Sequence, residues 1–245
     1  MMKYLGFLCC VVMLSFTSCG GDQTEIDLVF QANYGDEILA YNRTYTQDDG
    51  VAFNIDKSDF FISNVRLIAD DGSETTLFEY AQVDFENSPG GVRLIPEREV
   101  EIQNYESIVF GIGLTPDVNS QTPADFPAND LLSTVNSGST HYWTAWDSYI
   151  FSKQEGNFDS NGDGEPDEGW VVHTGTDDIY EEVTINIDRI INEDDNEIRL
   201  ALDHEPLFIE NGSPIVFGLS HNPADRESFE NFFARIVSNV GIAEE

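Results

Sequence analysis

Beyond residue 19 the sequence has neither cysteine nor methionine: its 3 cysteines are Cys9, Cys10 and Cys19, and its 3 methionines are Met1, Met2 and Met13. A disulfide framework, a thiolate zinc site and a cysteine nucleophile are therefore excluded for the chain that follows. Basic residues are scarce too, with 11 Lys and Arg against 46 Asp and Glu and a formal net charge of −35. Nonspecific nucleic-acid binding needs cationic side chains to displace counterions from phosphates, so this balance excludes it. Docking of the domain on an anionic membrane surface is disfavoured for the same reason. Long apolar runs are the third deficit, since nothing after Phe16 approaches the roughly 20 residues that cross a bilayer. What remains is an acidic domain that attracts cations. With 40% hydrophobic and 12% aromatic residues among 245, it has the means to build a core, unlike a disordered acidic tail.

The N-terminus reads as an address. Lys3 precedes an apolar stretch from Leu5 to Phe16, and the small residues Thr17 and Ser18 come before Cys19. A positive start, a short apolar run and a small-residue cleavage site describe a secretory signal over residues 1–18. Phe-Thr-Ser-Cys followed by Gly20 and Gly21 resembles a bacterial lipoprotein box, of the looser kind found in Bacteroidetes. On that resemblance Cys19 becomes the lipidated N-terminus and residues 19–24 a tether. The domain, residues 25–245, would then be extracytoplasmic, periplasmic or on the cell surface, touching the membrane only through its lipid. A plain secreted protein with an incidental Cys19 is the alternative.

Period-2 alternation begins at Ile26, Leu28 and Phe30. Further strand-like runs cover residues 60–69, 75–78, 82–85, 92–95, 107–114, 149–153, 170–173, 182–190 and 198–202. Turn chemistry at Asp71-Gly72, Pro89-Gly90-Gly91 and Asn211-Gly212 separates them. Many short strands with little helical patterning predict an all-β fold, an antiparallel β-sandwich. Near the end, Phe229, Phe232, Phe233, Ile236, Val237 and Val240 form a helical stripe that should pack on the sheet. Asn222 is placed to cap this C-terminal α-helix, Pro223 to start it and Gly241 to stop it. A short helical insert is expected over residues 125–136.

Metal chemistry is open to four histidines, His141, His173, His204 and His221, the only soft-to-borderline ligands left. Each reads equally as an ordinary core or surface residue. His141 opens the segment HYWTAWDSY with Trp143 and Trp146, which is either an aromatic-walled site or a core cluster. In DSNGDGEPDE, Asp159, Asn161, Asp163 and Asp167 stand at positions 1, 3, 5 and 9 of a calcium-loop pattern, with Gly164 at the sharp turn. Position 12, normally a bidentate Glu, is Trp170, so the loop is either a departing calcium site, structural in role, or a solvated acidic turn. No GxSxG elbow, P-loop, HExxH or dinucleotide glycine pattern is present, and carboxylate pairs are too common to single one out. The sequence makes no positive case for an enzyme, with a redox-active copper centre left open.

Five segments in order resemble the MbnP-like family of bacterial extracytoplasmic proteins. They are FFISNVRL (60–67), FGIGL (110–114), HYWTAWDSYIFSKQEG (141–156), WVVHTG (170–175) and Ser220-His221-Asn222 with the helix that follows. The resemblance implies an all-β sandwich that binds copper through histidines, for acquisition, storage or delivery. It further implies a partner, a dihaem peroxidase-like protein, that oxidises a tryptophan to a kynurenine in the copper site. Carried over by position, the ligand candidates are His141 and His221, with His173 matching a central histidine and Trp143 the modified tryptophan. The sequence departs from the family where His141 replaces a methionine and the second tryptophan is displaced to Trp146. An i, i+2 spacing on a strand would put His141 and Trp143 on one face. His204 matches no motif and reads as structural or exposed. The alternative function is a cell-surface interaction module rigidified by calcium at Asp159–Asp167.

Overall fold

Expected alternation becomes observed strand along most of the chain. The computed structural model describes residues 21–220 and 226–243. Its principal strands are β1 (Asp27–Tyr34), β2 (Lys57–Ala69), β3 (Glu74–Asp84), β4 (Val92–Leu94), β5 (Gln103–Ile112) and β6 (Ser148–Phe158). β7 (Glu168–Gly175), β8 (Glu181–Ile191), β9 (Glu197–Asp203), β10 (Leu219–Ser220) and β11 (Val240–Ile242) follow. The runs 75–78 and 82–85 merge into the single strand β3. Among the described residues no helix is long and apolar enough to cross a membrane.

β2 is the spine of the larger sheet. β3 pairs along its whole length, while β6 pairs with residues 57–60 and β5 with residues 62–69 on its other edge. The sheet continues from β5 to β8, and from β6 through β7 to β10. The second sheet sets β1 between β9 and β4, with β11 beyond β9. Most pairs are antiparallel, as expected, but β1 with β9 and β7 with β10 run parallel. Between the sheets Phe30 meets Phe60 and Phe110 edge to face, with ring centroids 5.9 and 5.8 Å apart. All three are fully buried and form the centre of the apolar core.

β2 is buried on both faces from Ser58 to Ser63, then alternates. Asn64 explains the change: its φ of 52° and the register shift beside it bulge the strand and move the core positions to Val65, Leu67 and Ala69. The double burial arises because residues 113–147, which join β5 to β6, fold back over the outer face carrying Asp59 and Phe61. The ring of Phe61 meets that of His141 at 5.2 Å.

The expected helix over residues 125–136 is a series of turns instead. Asp130 caps the Leu132 amide with its carboxylate, and the Asn136 amide donates to the Asp130 carbonyl, so short polar side chains satisfy the backbone before a helix can. The insert's helical turns lie on either side, at α1 (Pro116–Asn119), at residues Pro123–Asp125, and at α2 (Gly138–His141). The C-terminal helix α3 (Arg226–Ser238) buries Phe229, Phe232, Phe233 and Ile236. It stops before Val240, which enters β11 together with Gly241; Asn222 and Pro223 lie outside the described residues.

Candidate metal centre

His141 ends α2 rather than standing in a strand, so the expected shared face with Trp143 does not form. Gly138, which opens α2, lets the helix pack closely on the turns before it: a Cβ there would lie 1.8 Å from the Leu132 carbonyl oxygen. The imidazole is buried, with Nε2 3.0 Å from Oδ1 of Asp59 on β2 and 3.3 Å from the Gln82 amide nitrogen on β3. Nδ1 lies 2.9 Å from the Thr140 hydroxyl and 3.2 Å from the Ser137 carbonyl. Both ring nitrogens are therefore engaged by the protein.

Asp59 is fully buried, and Lys57 Nζ stands 3.2 Å from its second oxygen. Burial alone would push the carboxyl up; the hydrogen bond and charge of His141, with Lys57, outweigh it and hold Asp59 below the ordinary carboxylate range. Lys153, directly across on β6, donates from Nζ to the Thr140 carbonyl, and burial pushes its ammonium below the usual lysine range despite the pull of Asp59.

Lys153 also faces His173 on β7, so Asp59, Lys153 and His173 form one row across three adjacent strands. Directly paired residues share a face, and two strand spacings separate the ends of the row by about 10 Å. His173 is half-buried, with Nε2 2.7 Å from Oε1 of Glu155. That hydrogen bond, against a smaller opposing effect of burial, keeps the Glu155 carboxyl below its ordinary range. The His173 ring stands edge-on to Trp143, centroids 6.5 Å apart at 79°.

Local sequence builds the aromatic wall. Tyr142 and Trp143 pair with Tyr149 and Ser148, and the Trp146 amide donates to the Trp143 carbonyl at 3.0 Å. Asp147, with φ 53°, completes the reversal. This tight turn folds Trp146 back onto Trp143 with centroids 4.7 Å apart and planes 14° from parallel. Phe229 of α3 packs on Trp146 at 5.3 Å. Both tryptophans are half-buried, and Trp146, with Tyr142, packs against the apolar core that holds Tyr149.

Among the described residues no three His, Cys, Asp or Glu side chains converge tightly enough to hold a metal. Cys19 and His221 lie outside those residues. His221 follows directly on Ser220, however, and the Ser220 backbone pairs with Val172, the neighbour of His173. His204 is structural, one of the two readings its sequence allowed. It is fully buried, with Nε2 2.8 Å from the Ser58 hydroxyl and Nδ1 3.1 Å from the Asn33 carbonyl, and burial pushes its pKa down to about 4.

The calcium-pattern residues stay together at the β6–β7 turn. Asp159 Oδ1 accepts from the amides of Asn161, Gly162 and Asp163, and Oδ2 from that of Gly164. Asp167 accepts from the Ser160 amide and the Asn161 side chain, and the Asp163 amide donates to Asn161 Oδ1. Trp170, at position 12, is a core residue whose Nε1 donates to the Asn54 carbonyl at 3.1 Å. A separate cavity of about 530 Å³, lined in part by Trp170, Phe217, Phe232 and Arg235, is lined by none of the histidines or calcium-pattern carboxylates singled out from the sequence.

Sequence reasoning missed Asp59, Lys153 and Glu155. Only the alternation that places Lys153 and Glu155 on one face of β6 was legible; their partners depend on strand register.

The sequence profile of the MbnP family matches residues 23–225. No curated protein matches the chain. Among solved structures, MbnP from Methylosinus trichosporium is similar in fold: TM-score 0.54, 12% identity, and 82% of each chain covered.

Proposed function

Since this chain belongs to the MbnP family, we propose that it is an extracytoplasmic lipoprotein that binds copper through histidines, for acquisition, storage or delivery. The observation that carries this reading is the meeting of His173, Glu155 and Trp143 beside the strand that leads into His221. Imidazole nitrogen suits copper, and the domain offers nothing softer. What favours this donor set is His173, bonded to Glu155 beside Trp143, and the sequence position of His221, one residue past the Ser220–Val172 backbone pair. His173 and His221 are the primary ligands in this reading. His141, clamped between Asp59 and the α2 backbone, joins only by exchanging Asp59 for the metal.

Bound copper would supply a polarisable cation next to an indole. The protein's part is to hold that indole and exclude water around it. The stack of Trp143 on Trp146, backed by Phe229, holds the indole and covers one of its faces. Trp143 is half-buried and followed by the exposed Thr144 and Ala145, which leaves it open to an oxidising partner such as a dihaem peroxidase-like protein. The net charge of −35 raises the local concentration of cations around the domain. Binding rather than catalysis is the role this site supports.

Copper(I) titration against a competing chelator tests the reading. His173→Ala and His221→Ala should each weaken binding at least tenfold while far-UV circular dichroism is unchanged. Undiminished affinity in the double variant would contradict it. Dependence on His141 alone would move the site to the Asp59 end of the row.

A further inference from the structure

The cavity of about 530 Å³ beside Trp170 has a volume typical of small-molecule sites. Trp170 and Val172 reach it from β7, and Ser228, Phe232 and Arg235 from one stripe of α3, at i, i+4 and i+7. Its remaining wall comes from residues 210–218, which begin in a hairpin that pairs Ile209–Glu210 with Ser213–Pro214. Asn211 and Gly212, with φ of 51° and 75°, make the two-residue turn. On this wall Val216 is 95% exposed, an apolar side chain left almost wholly uncovered.

Arg235 gives the cavity its chemistry. Its Nε donates to the Leu207 carbonyl at 2.9 Å, and its guanidinium lies over the Phe232 ring, 5.2 Å from the centroid. The side chain is 17% exposed, as is that of Arg66. Arg66 holds Glu182 with two hydrogen bonds, of 2.9 and 3.1 Å. Arg235 is not matched in this way. Glu210 Oε1 stands 3.6 Å from its Nη1, beyond hydrogen-bond length, and accepts from the Asn231 side chain at 2.8 Å instead. Among the described residues neither terminal nitrogen of Arg235 makes a hydrogen bond. Burial pushes the guanidinium below the usual arginine range, with Glu210 opposing in smaller part.

A planar guanidinium presents its terminal N–H groups as a fork that matches a carboxylate. The net charge of −35 penalises each further negative charge, which favours a single carboxylate over a phosphate or a dicarboxylate. Val172, Ile215, Val216 and Phe217 offer apolar surface to the rest of such a molecule. We infer that this cavity binds a small monocarboxylate with an apolar body, its carboxylate held by Arg235. The site uses none of the histidines, so the inference stands or falls independently of the copper reading.

Octanoate and 1-octanol are the probes, matched in chain length and different in the head group. Calorimetric titration of the wild-type protein should show octanoate at one site with a Kd below about 1 mM. Octanol, followed by saturation-transfer NMR, should bind about tenfold more weakly. Arg235→Gln should weaken octanoate about tenfold and leave the octanol signal unchanged. Glu210→Gln keeps an acceptor for Asn231 and removes the competing charge, and should tighten octanoate about threefold. Ser228→Trp, at an exposed position of α3, fills the cavity and should abolish both signals. Melting temperatures of the three variants show that the comparison is between folded proteins.

Octanoate that does not bind at millimolar concentration overturns the inference, as does equal affinity for acid and alcohol. Octanoate affinity unchanged in Arg235→Gln overturns it as well. Equal loss of both probes in that variant would make Arg235 a wall of the cavity rather than the carboxylate's partner, with the same consequence. A concentration-dependent dimer that Ser228→Trp dissolves would give the cavity to a second copy of the chain and also overturn it.

Discussion

Acidification should unfold this protein through His204, a residue with no part in the metal chemistry. The imidazole is fully buried, bridging Ser58 on β2 to the Asn33 and Leu202 carbonyls of the second sheet, so it ties the two layers together. Burial, opposed in smaller part by the hydrogen bonds to those carbonyls, lowers its pKa from 6.5 to about 4 in the folded state. The folded protein therefore holds the ring neutral, while the unfolded chain protonates it near 6.5. The stabilisation is complete above pH 6.5 and is lost as the pH falls towards 4, because over that window the unfolded state binds the extra proton. A difference of that size corresponds to about 3 kcal/mol, accumulating at up to about 1.4 kcal/mol per pH unit. The assay is urea unfolding of the wild type and of His204→Gln at half-unit steps from pH 7.5 to 4. Carboxylates titrate in both proteins, so the difference between the two curves isolates His204. The wild-type curve should fall by about 3 kcal/mol more than the variant's. Parallel curves would refute the reasoning.

Four further outcomes are expected. Phe30→Ala removes a fully buried ring that meets Phe60 and Phe110, and should cost about 3–5 kcal/mol in denaturant unfolding with an unchanged m-value. Asp59→Ala strands His141 and Lys57 beside a vacated buried position, and should cost about 3–5 kcal/mol by the same measurement. Gly138→Ala cannot fit its Cβ against the Leu132 carbonyl; a loss of about 1–3 kcal/mol is expected, with a shifted tryptophan emission as α2 moves. Asp159→Ala leaves the amides of residues 161–164 without their common acceptor; its melting temperature should drop even in EDTA.

Strand existence was legible wherever one face is apolar and the other polar, as in β8 and β9. It was legible too in β2 over residues 60–69, but the burial of its first half on both faces was not, since Ser58, Asp59 and Ser63 are polar. The bulge at Asn64 was not, because a left-handed asparagine leaves no periodic trace. The parallel pairs β1–β9 and β7–β10 depend on long-range register and had no local signal. The insert misled in a specific way: Asp130, Ser133 and Asn136 compete for the backbone with their own side chains, and the helical spacing around them decided nothing. At the site, each histidine and tryptophan was visible as a residue type, and Trp143 does stand next to His173. The partner of His141 could not be found, since Asp59 lies 82 residues away and only the folding-back of residues 113–147 brings them together. Glu155 stood in view within the 141–156 segment, but its bond to His173 appears only once β6 and β7 are in register.

Metal content decides the central claim, that the His173–Trp143 face with His221 is a copper centre. The protein should be purified from its native host for elemental analysis, with peptide mass mapping across residues 140–153. The account predicts stoichiometric copper, lost from the His173→Ala, His221→Ala double variant expressed in the same host. Copper retained in full by the double variant, or a wild-type protein that carries none and takes up none on titration, would contradict it.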